Sequence, residues 1–201
     1  MQSTASRPLT ARGEATRRRI LNAAEIEFGE KGFHLASVSS ITTRACVGQG
    51  TFYIYFRTKE DCFCTLVQEI GRALRQYTGE AVAKGQNRMD AERLGMQAFL
   101  EFTQKHPGLY RIVQESQFVD EPVFREYYEK LAAGYSKDLD RAAKAGDIRD
   151  GDGEARAWAL MGIGHFLGLR YCLWRNEVPP EDVLNEVMSF VEQGIGKAGS
   201  A

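Results

Sequence analysis

Apolar positions along the chain recur at helical rather than alternating spacing. Ile20, Leu21, Ala24 and Phe28 fall at i, i+1, i+4 and i+8, the stripe of a first helix predicted over residues 13–31. Gly32 is placed to take a left-handed position after it, with Phe33 as the apolar contact beyond. Ser37 is the expected cap of a two-turn helix over 39–45, and a second short helix is predicted over 49–56 after a turn at Cys46-Val47-Gly48. Thr58-Lys59-Glu60-Asp61 has a capping-box pattern, with Asp61 expected to reach back to the cap. It opens a long helix through Leu66, Ile70, Leu74 and Tyr77 to near Gly85. Further helices are predicted over 90–105, with Leu94, Ala98, Phe99 and Phe102 on one face, and over 107–118, 121–145, 154–175 and from Pro180 onward. The segment 154–175 is apolar on nearly every face, while Val183, Leu184, Val187, Met188, Val191 and Ile195 make a single stripe. The fold class expected is all-α, with about nine helices.

Residues 37–56 read SVSSITTRACVGQGTFYIYF, two short helices joined by a tight turn: a helix-turn-helix. Val38, Ile41, Ala45, Val47, Phe52 and Phe56 supply a small core. That leaves Gln49, Gly50, Thr51, Tyr53 and Tyr55 on the opposite side of the second helix. This face has an amide, hydroxyls, a glycine and no acid, which suits base edges and phosphates in a major groove. Lys59 is expected to add a cation beside it, and Arg17 and Arg18 to meet phosphates. The charge distribution sharpens the picture. A net charge of −1 rules out a uniformly basic coat. Residues 1–60, however, hold nine Lys or Arg against five acids, a local +4, and the remainder holds 17 against 22, a local −5.

Other classes find little support. The longest strongly apolar stretch, Trp158 to Leu169, has 12 residues, short of the roughly 20 a bilayer span needs. The first twenty residues lack an apolar signal core, so a cytoplasmic location is expected. Cys46, Cys62, Cys64 and Cys172 are too scattered for a disulfide framework, and Cys62 and Cys64 point about 200° apart on a helix, so no metal site is expected. His34, His106 and His165 are distant in sequence, and no Glu-x-x-His pair supports a di-iron enzyme. The middle helices concentrate aromatic and polar residues, and an apolar cavity with a few polar anchors is what a small-molecule site needs. The candidate ligand-binding residues are Phe99, Phe102, Tyr110, Gln114, Phe118, Tyr127, Trp158 and His165. Gly162, Gly164 and Gly168 imply close helix approach, within the core or across a dimer.

The run RRRILNAAEIEFGEKGF, followed by GQGTFYIYFRTKED, resembles the DNA-binding domain of the tetracycline-repressor (TetR/AcrR) family over about residues 12–65. The resemblance implies two helical domains working as a homodimer. It divides the chain into a disordered basic arm at 1–12, a helix-turn-helix domain at 13–58, a ligand-binding and dimerisation domain at 59–196 and a disordered tail at 197–201. It also implies that Gln49, Gly50, Thr51, Tyr53 and Tyr55 touch DNA, that Ser37 and Lys59 meet phosphates and that Ser39 can reach a base. The chain departs from the family pattern at Thr42, Cys46, Gly48 and Gln49, where alanine, glycine, serine and a cation are common. The function expected is a ligand-responsive regulator that uses no cofactor and is not an enzyme. A repressor is expected, released from a palindromic double-stranded operator by a largely apolar small molecule. The alternative is a helical enzyme or protein-binding adaptor using the C-terminal cavity.

Overall fold

A computed structural model describes residues 10–197 and, among them, contains helices and no strands. The helix α1 spans Ala11–Leu35, capped by Thr10, whose hydroxyl accepts from the Gly13 N–H at 3.2 Å. It therefore begins inside the stretch expected to be an arm; residues 1–9 and the tail from 198 to 201 lie outside the described residues. Helical dihedrals break at Gly32, with φ 76° and ψ 166°. The positive φ needs glycine, but the residue adopts the mirror-extended region rather than the left-handed helical one.

The pair α2 (Val38–Arg44) and α3 (Gln49–Tyr55) forms the helix-turn-helix. Ser37 and Ser40 make a reciprocal capping box at the start of α2. Buried Thr42 satisfies its hydroxyl by donating to the carbonyls of Val38 at 2.9 Å and Ser39 at 3.1 Å. Cys46 takes φ 54° in the turn, a conformation that favours glycine. The helix α4 (Lys59–Val82) follows, with Thr58 accepting from the Asp61 N–H at 3.1 Å. Asp61 does not return a bond to Thr58. Its carboxylate accepts from the Arg57 N–H, one residue earlier, at 2.9 Å.

Five further helices complete the chain: α5 (Arg88–Lys105), α6 (Pro107–Val119), α7 (Glu121–Ala145), α8 (Gly153–Leu167) and α9 (Glu181–Ile195). The single helix expected over 154–175 changes pitch, continuing beyond α8 as a π-helical segment at Gly168–Leu173. Central α5 packs on α4, α6, α8 and the π-helical segment. Its buried residues Ala91, Glu92, Met96, Ala98, Leu100 and Thr103 lie on several sides, so the one-faced stripe read from sequence was too narrow. Gly164 and Gly168 explain themselves here: a Cβ on either would come within 3.5 Å of the Phe99 ring.

Two apolar clusters hold the fold. One gathers Ile20, Phe28, Ile41 and Phe52 from the first three helices with Phe63 of α4 and Ile112 of α6. The other joins α5 with α7, α8 and α9 through Leu100, Leu139, Leu160 and Met188. Phe28 and Phe63 meet edge to face at 5.1 Å, and burying each ring contributes about 1.5–3 kcal/mol. The first cluster crosses the chain division at residue 58, so the head shares its core with α4 and α6.

Candidate functional site

The exposed face of the helix-turn-helix is built by register. Phe52, Tyr55 and Phe56 fall at i, i+3 and i+4, the inward stripe of α3, and Phe52 and Phe56 are buried. Tyr55, expected outward, is half-buried and packs on the core for this reason. Gly50, Tyr53 and Ile54 form the complementary stripe, with Tyr53 55% and Ile54 74% exposed. Gln49 is exposed before them and Thr51 is half-buried at the edge. Sequence reasoning missed Ile54 because an isoleucine between aromatic residues reads as core. Its exposed side chain offers the apolar contact that a thymine methyl accepts. Ser37 and Ser39 are exposed at the start of α2.

The cations are arranged differently from the expectation. Lys59 turns its ammonium into the end of α1, donating to the carbonyls of Phe33 at 2.7 Å and Ala36 at 2.9 Å and lying 4.2 Å from the Phe33 ring centre. It closes unsatisfied carbonyls at a helix end before it can meet a phosphate. Arg17 and Arg18 both pair with Glu69 of α4, at 3.1 and 3.0 Å. Lys31 and Arg44 share Glu27. Exposed Arg57, between α3 and α4, has no ion pair among the described residues, and the sequence reading overlooked it.

A cavity of about 260 Å³ lies among α4, α5, α6, α7 and α8. Phe99, Tyr110, Gln114, Tyr127 and His165 line it. Three other candidates do not. Phe102 packs between the rings of Tyr77 and His106. Phe118 is 80% exposed, off the inward stripe of Leu109, Ile112, Val113 and Ser116. Trp158 sits one residue past inward-facing Ala157, 44% exposed, with its ring behind Tyr128.

The polar groups of the cavity are mutually bonded. Tyr110 Oη lies 2.7 Å from His165 Nδ1 and 3.2 Å from the His165 carbonyl. Both contacts are hydrogen bonds when Nδ1–H donates to the phenol and the phenol donates to the carbonyl. Burial lowers the His165 pKa, which keeps the imidazole neutral at pH 7. Gln114 Nε2 donates to Tyr128 Oη at 2.9 Å. The opposite end holds a group that sequence reasoning missed: Arg88 Nε donates to buried Glu92 at 2.7 Å, and Tyr135 Oη donates to the other carboxylate oxygen. Burial, with the Glu92 charge, pushes the Tyr135 pKa well above its ordinary value. The i, i+4 spacing of Arg88 and Glu92 was the available signal, but such pairs ordinarily face solvent.

Burial raises the thiols of Cys62 and Cys64 to about 12 and that of Cys172 to about 11, so all three stay protonated. Among the described residues no helix is long and apolar enough to cross a membrane.

Residues 20–64 match the family of bacterial regulatory proteins named for tetR. The uncharacterized HTH-type transcriptional regulator YdgC of Bacillus subtilis (strain 168) is 28% identical over 96% of this chain and 98% of its own length. UidR of Escherichia coli (strain K12), also an HTH-type transcriptional regulator, is 40% identical over 65 residues, 32% of this chain and 33% of its own. The fold matches that of the fatty acid degradation regulator FadR from Bacillus halodurans with a TM-score of 0.78 at 17% identity, over 92% of this chain and 96% of that one. The helix-turn-helix, the family match across it and the full-length similarity to an HTH-type transcriptional regulator lead to one conclusion: residues 20–64 are a DNA-binding domain of the tetR family, and the chain is a DNA-binding transcriptional regulator.

Proposed function

We propose that the protein is a ligand-responsive repressor, a homodimer that leaves a palindromic operator when a largely apolar small molecule enters the cavity. One observation carries this reading: the cavity and the head share helix α6. Tyr110, Val113 and Gln114 of α6 line the cavity. On the same helix, Gly108 lies against Gly29 of α1, and the Glu115 carboxylate accepts from the Phe33 N–H at 2.8 Å. A ligand that displaces α6 therefore moves the end of α1, and with it the helix-turn-helix. The shift favours the DNA-free state by whatever affinity difference the ligand has for the two arrangements.

Dimerisation is supported by two exposed apolar stripes. Trp158, Gly162 and Phe166 repeat at i, i+4 and i+8 on α8, and Phe190 and Gly194 at i and i+4 on α9. A Cβ on either of these two glycines would meet open space, so neither is small for the sake of its own subunit. Two heads held by such an interface read half-sites roughly 34–36 Å apart. In each head Gln49, Gly50, Thr51, Tyr53 and Ser39 meet base edges, and Ser37 and Arg57 meet phosphates, while Lys59 holds the end of α1 in place behind them. The test is a salt-dependent mobility shift on DNA flanking the gene, with and without an apolar probe. Retarded DNA that the probe releases is expected. DNA binding indifferent to every cavity ligand would remove the effector part of the reading.

A further inference from the structure

Arg75 belongs to two spaces at once. It lines the apolar cavity and also a second, more polar cleft of about 220 Å³ that continues along the seam of α4 and α7. Tyr127 is the other residue common to both. Arg72, Lys130 and Glu126 line the cleft. The Glu126 carboxylate is already engaged, by Lys130 and by Gln68 Nε2 at 3.2 Å. Among the described residues neither Arg72 nor Arg75 forms an ion pair. Gly71 makes the placement possible. A Cβ there would lie 3.2 Å from Arg75 Nη1 and 3.0 Å from Tyr127 Cδ2, so its absence lets the guanidinium fold back over α4 beside the Tyr127 ring.

The far end of the cavity has the opposite character. The Arg88 charge is taken up by Glu92, and Asp138 adds a further carboxylate to the lining. Asp138 is itself paired with Arg141 at 3.1 Å, so an anion entering there finds each cation already engaged by a carboxylate, whereas at the α4–α7 seam it meets two guanidiniums without ion pairs. A guanidinium beside apolar walls is costly to leave without a counter-charge, and its planar fork matches the oxygens of a carboxylate or phosphate.

We propose that the effector is an amphiphilic anion whose hydrocarbon body fills the cavity beside Leu74, Met96 and Phe99 and whose carboxylate or phosphate pairs with Arg75 at the junction, with Arg72 beyond it. The proposal rests on the reading of the cavity as the effector site and adds the charge of the ligand to it. A water-sized group occupies about 30 Å³ in a liquid, so the cavity admits a body of about nine heavy atoms. A ten-carbon chain with its charged carbon in the cleft meets that size.

The experiment titrates the full-length protein calorimetrically with decanoate, decyl phosphate, 1-decanol and decyltrimethylammonium. The two anions separate a carboxylate from a phosphate source. Expected is at least about a tenfold preference of the better anion over decanol, the equivalent of 1.4 kcal/mol. Arg75→Gln should erase that preference while leaving decanol binding within about twofold, and Arg75→Lys should keep part of it. Decanol or the ammonium binding the wild type as tightly as the better anion would overturn the proposal, as would an anion preference that survives Arg75→Gln. The comparison within the wild type stands even where a variant fails to fold. Decanol that binds and releases DNA without any anion preference removes this proposal alone. Four probes that neither bind nor alter DNA affinity remove it together with the effector reading.

Discussion

Glu27 ties the head together through one buried carboxylate. It accepts from Lys31 Nζ at 2.6 Å and from Arg44 Nε at 2.7 Å, and so joins α1 to α2. The bond from Lys31 leads, with those from Ser40 and Arg44, in holding its pKa at about 2 against an ordinary 4.5, in spite of burial. A carboxyl lowered by folding contributes stability that is complete above its unfolded value and is lost as pH falls through its folded one. Glu27→Gln is therefore expected to cost about 2 kcal/mol at neutral pH. The gap should close between pH 4.5 and about 2, as urea melts across that range will record; a gap unchanged at the acid end would assign the loss to packing. Lys59 and Arg57 separate a structural cation from a phosphate-directed one. Lys59→Met removes two N–H···O bonds worth about 1 kcal/mol each, and should lower Tm by about 4–8 °C. Arg57→Ala should leave Tm in place and reduce the slope of log affinity against log salt by about 0.9. Melts and anisotropy titrations at several salt concentrations distinguish them, and the assignment is reversed if only the Lys59 variant changes the slope.

Between elements, the proposed coupling of cavity to head runs through the contact of α6 with α1. A Cβ added at Gly29 would stand 3.0 Å from the Gly108 backbone, so Gly29→Ala must push the two helices apart by a few tenths of an ångström. Overpacking of this kind costs about 1–3 kcal/mol. Its expected signature is a smaller ratio of DNA affinities with and without effector, while a probe still binds the cavity. An unchanged ratio would move the coupling to α4. Neither glycine announced this contact in the sequence, because two helices that touch across eighty residues leave no periodic trace. What periodicity and local capping patterns did encode was the existence of each helix and where several begin, since Ser37 and Thr58 act locally. Periodicity placed Phe52 and Phe56 in the core for the same reason. It failed where the environment is not one-sided. Buried on several faces, α5 hides Glu92 among residues that read as solvated, and the cavity took Tyr110 and His165 but not Phe118 or Trp158, which differ by a rotation of a residue or two. The Lys59 ammonium was misplaced because its partners, the carbonyls at the end of α1, carry no side-chain signal at all.

At the scale of the whole molecule, the proposed homodimer would cover the exposed Phe166 and Phe190, each 69% accessible, and the open glycines beside them. A stable interface buries about 1,200–2,000 Å² in total, an area that two helices from each subunit can supply. Light scattering is expected to give twice the chain mass of 22.5 kDa. Phe166→Glu with Phe190→Glu should return the single-chain mass, since four buried carboxylates without partners cannot be accommodated. The consequence for DNA is a stricter test than the mass. A dimer neutralises the phosphates of two half-sites at once, whereas a monomer neutralises those of one, so the salt slope on a palindrome should fall by about half in the double variant. On DNA carrying a single half-site the two proteins should bind nearly alike, because each then engages one head. A double variant that is monomeric yet keeps the full slope on the palindrome would mean that the heads meet on the DNA rather than in solution, and that the spacing between them is set by the operator instead of by α8 and α9.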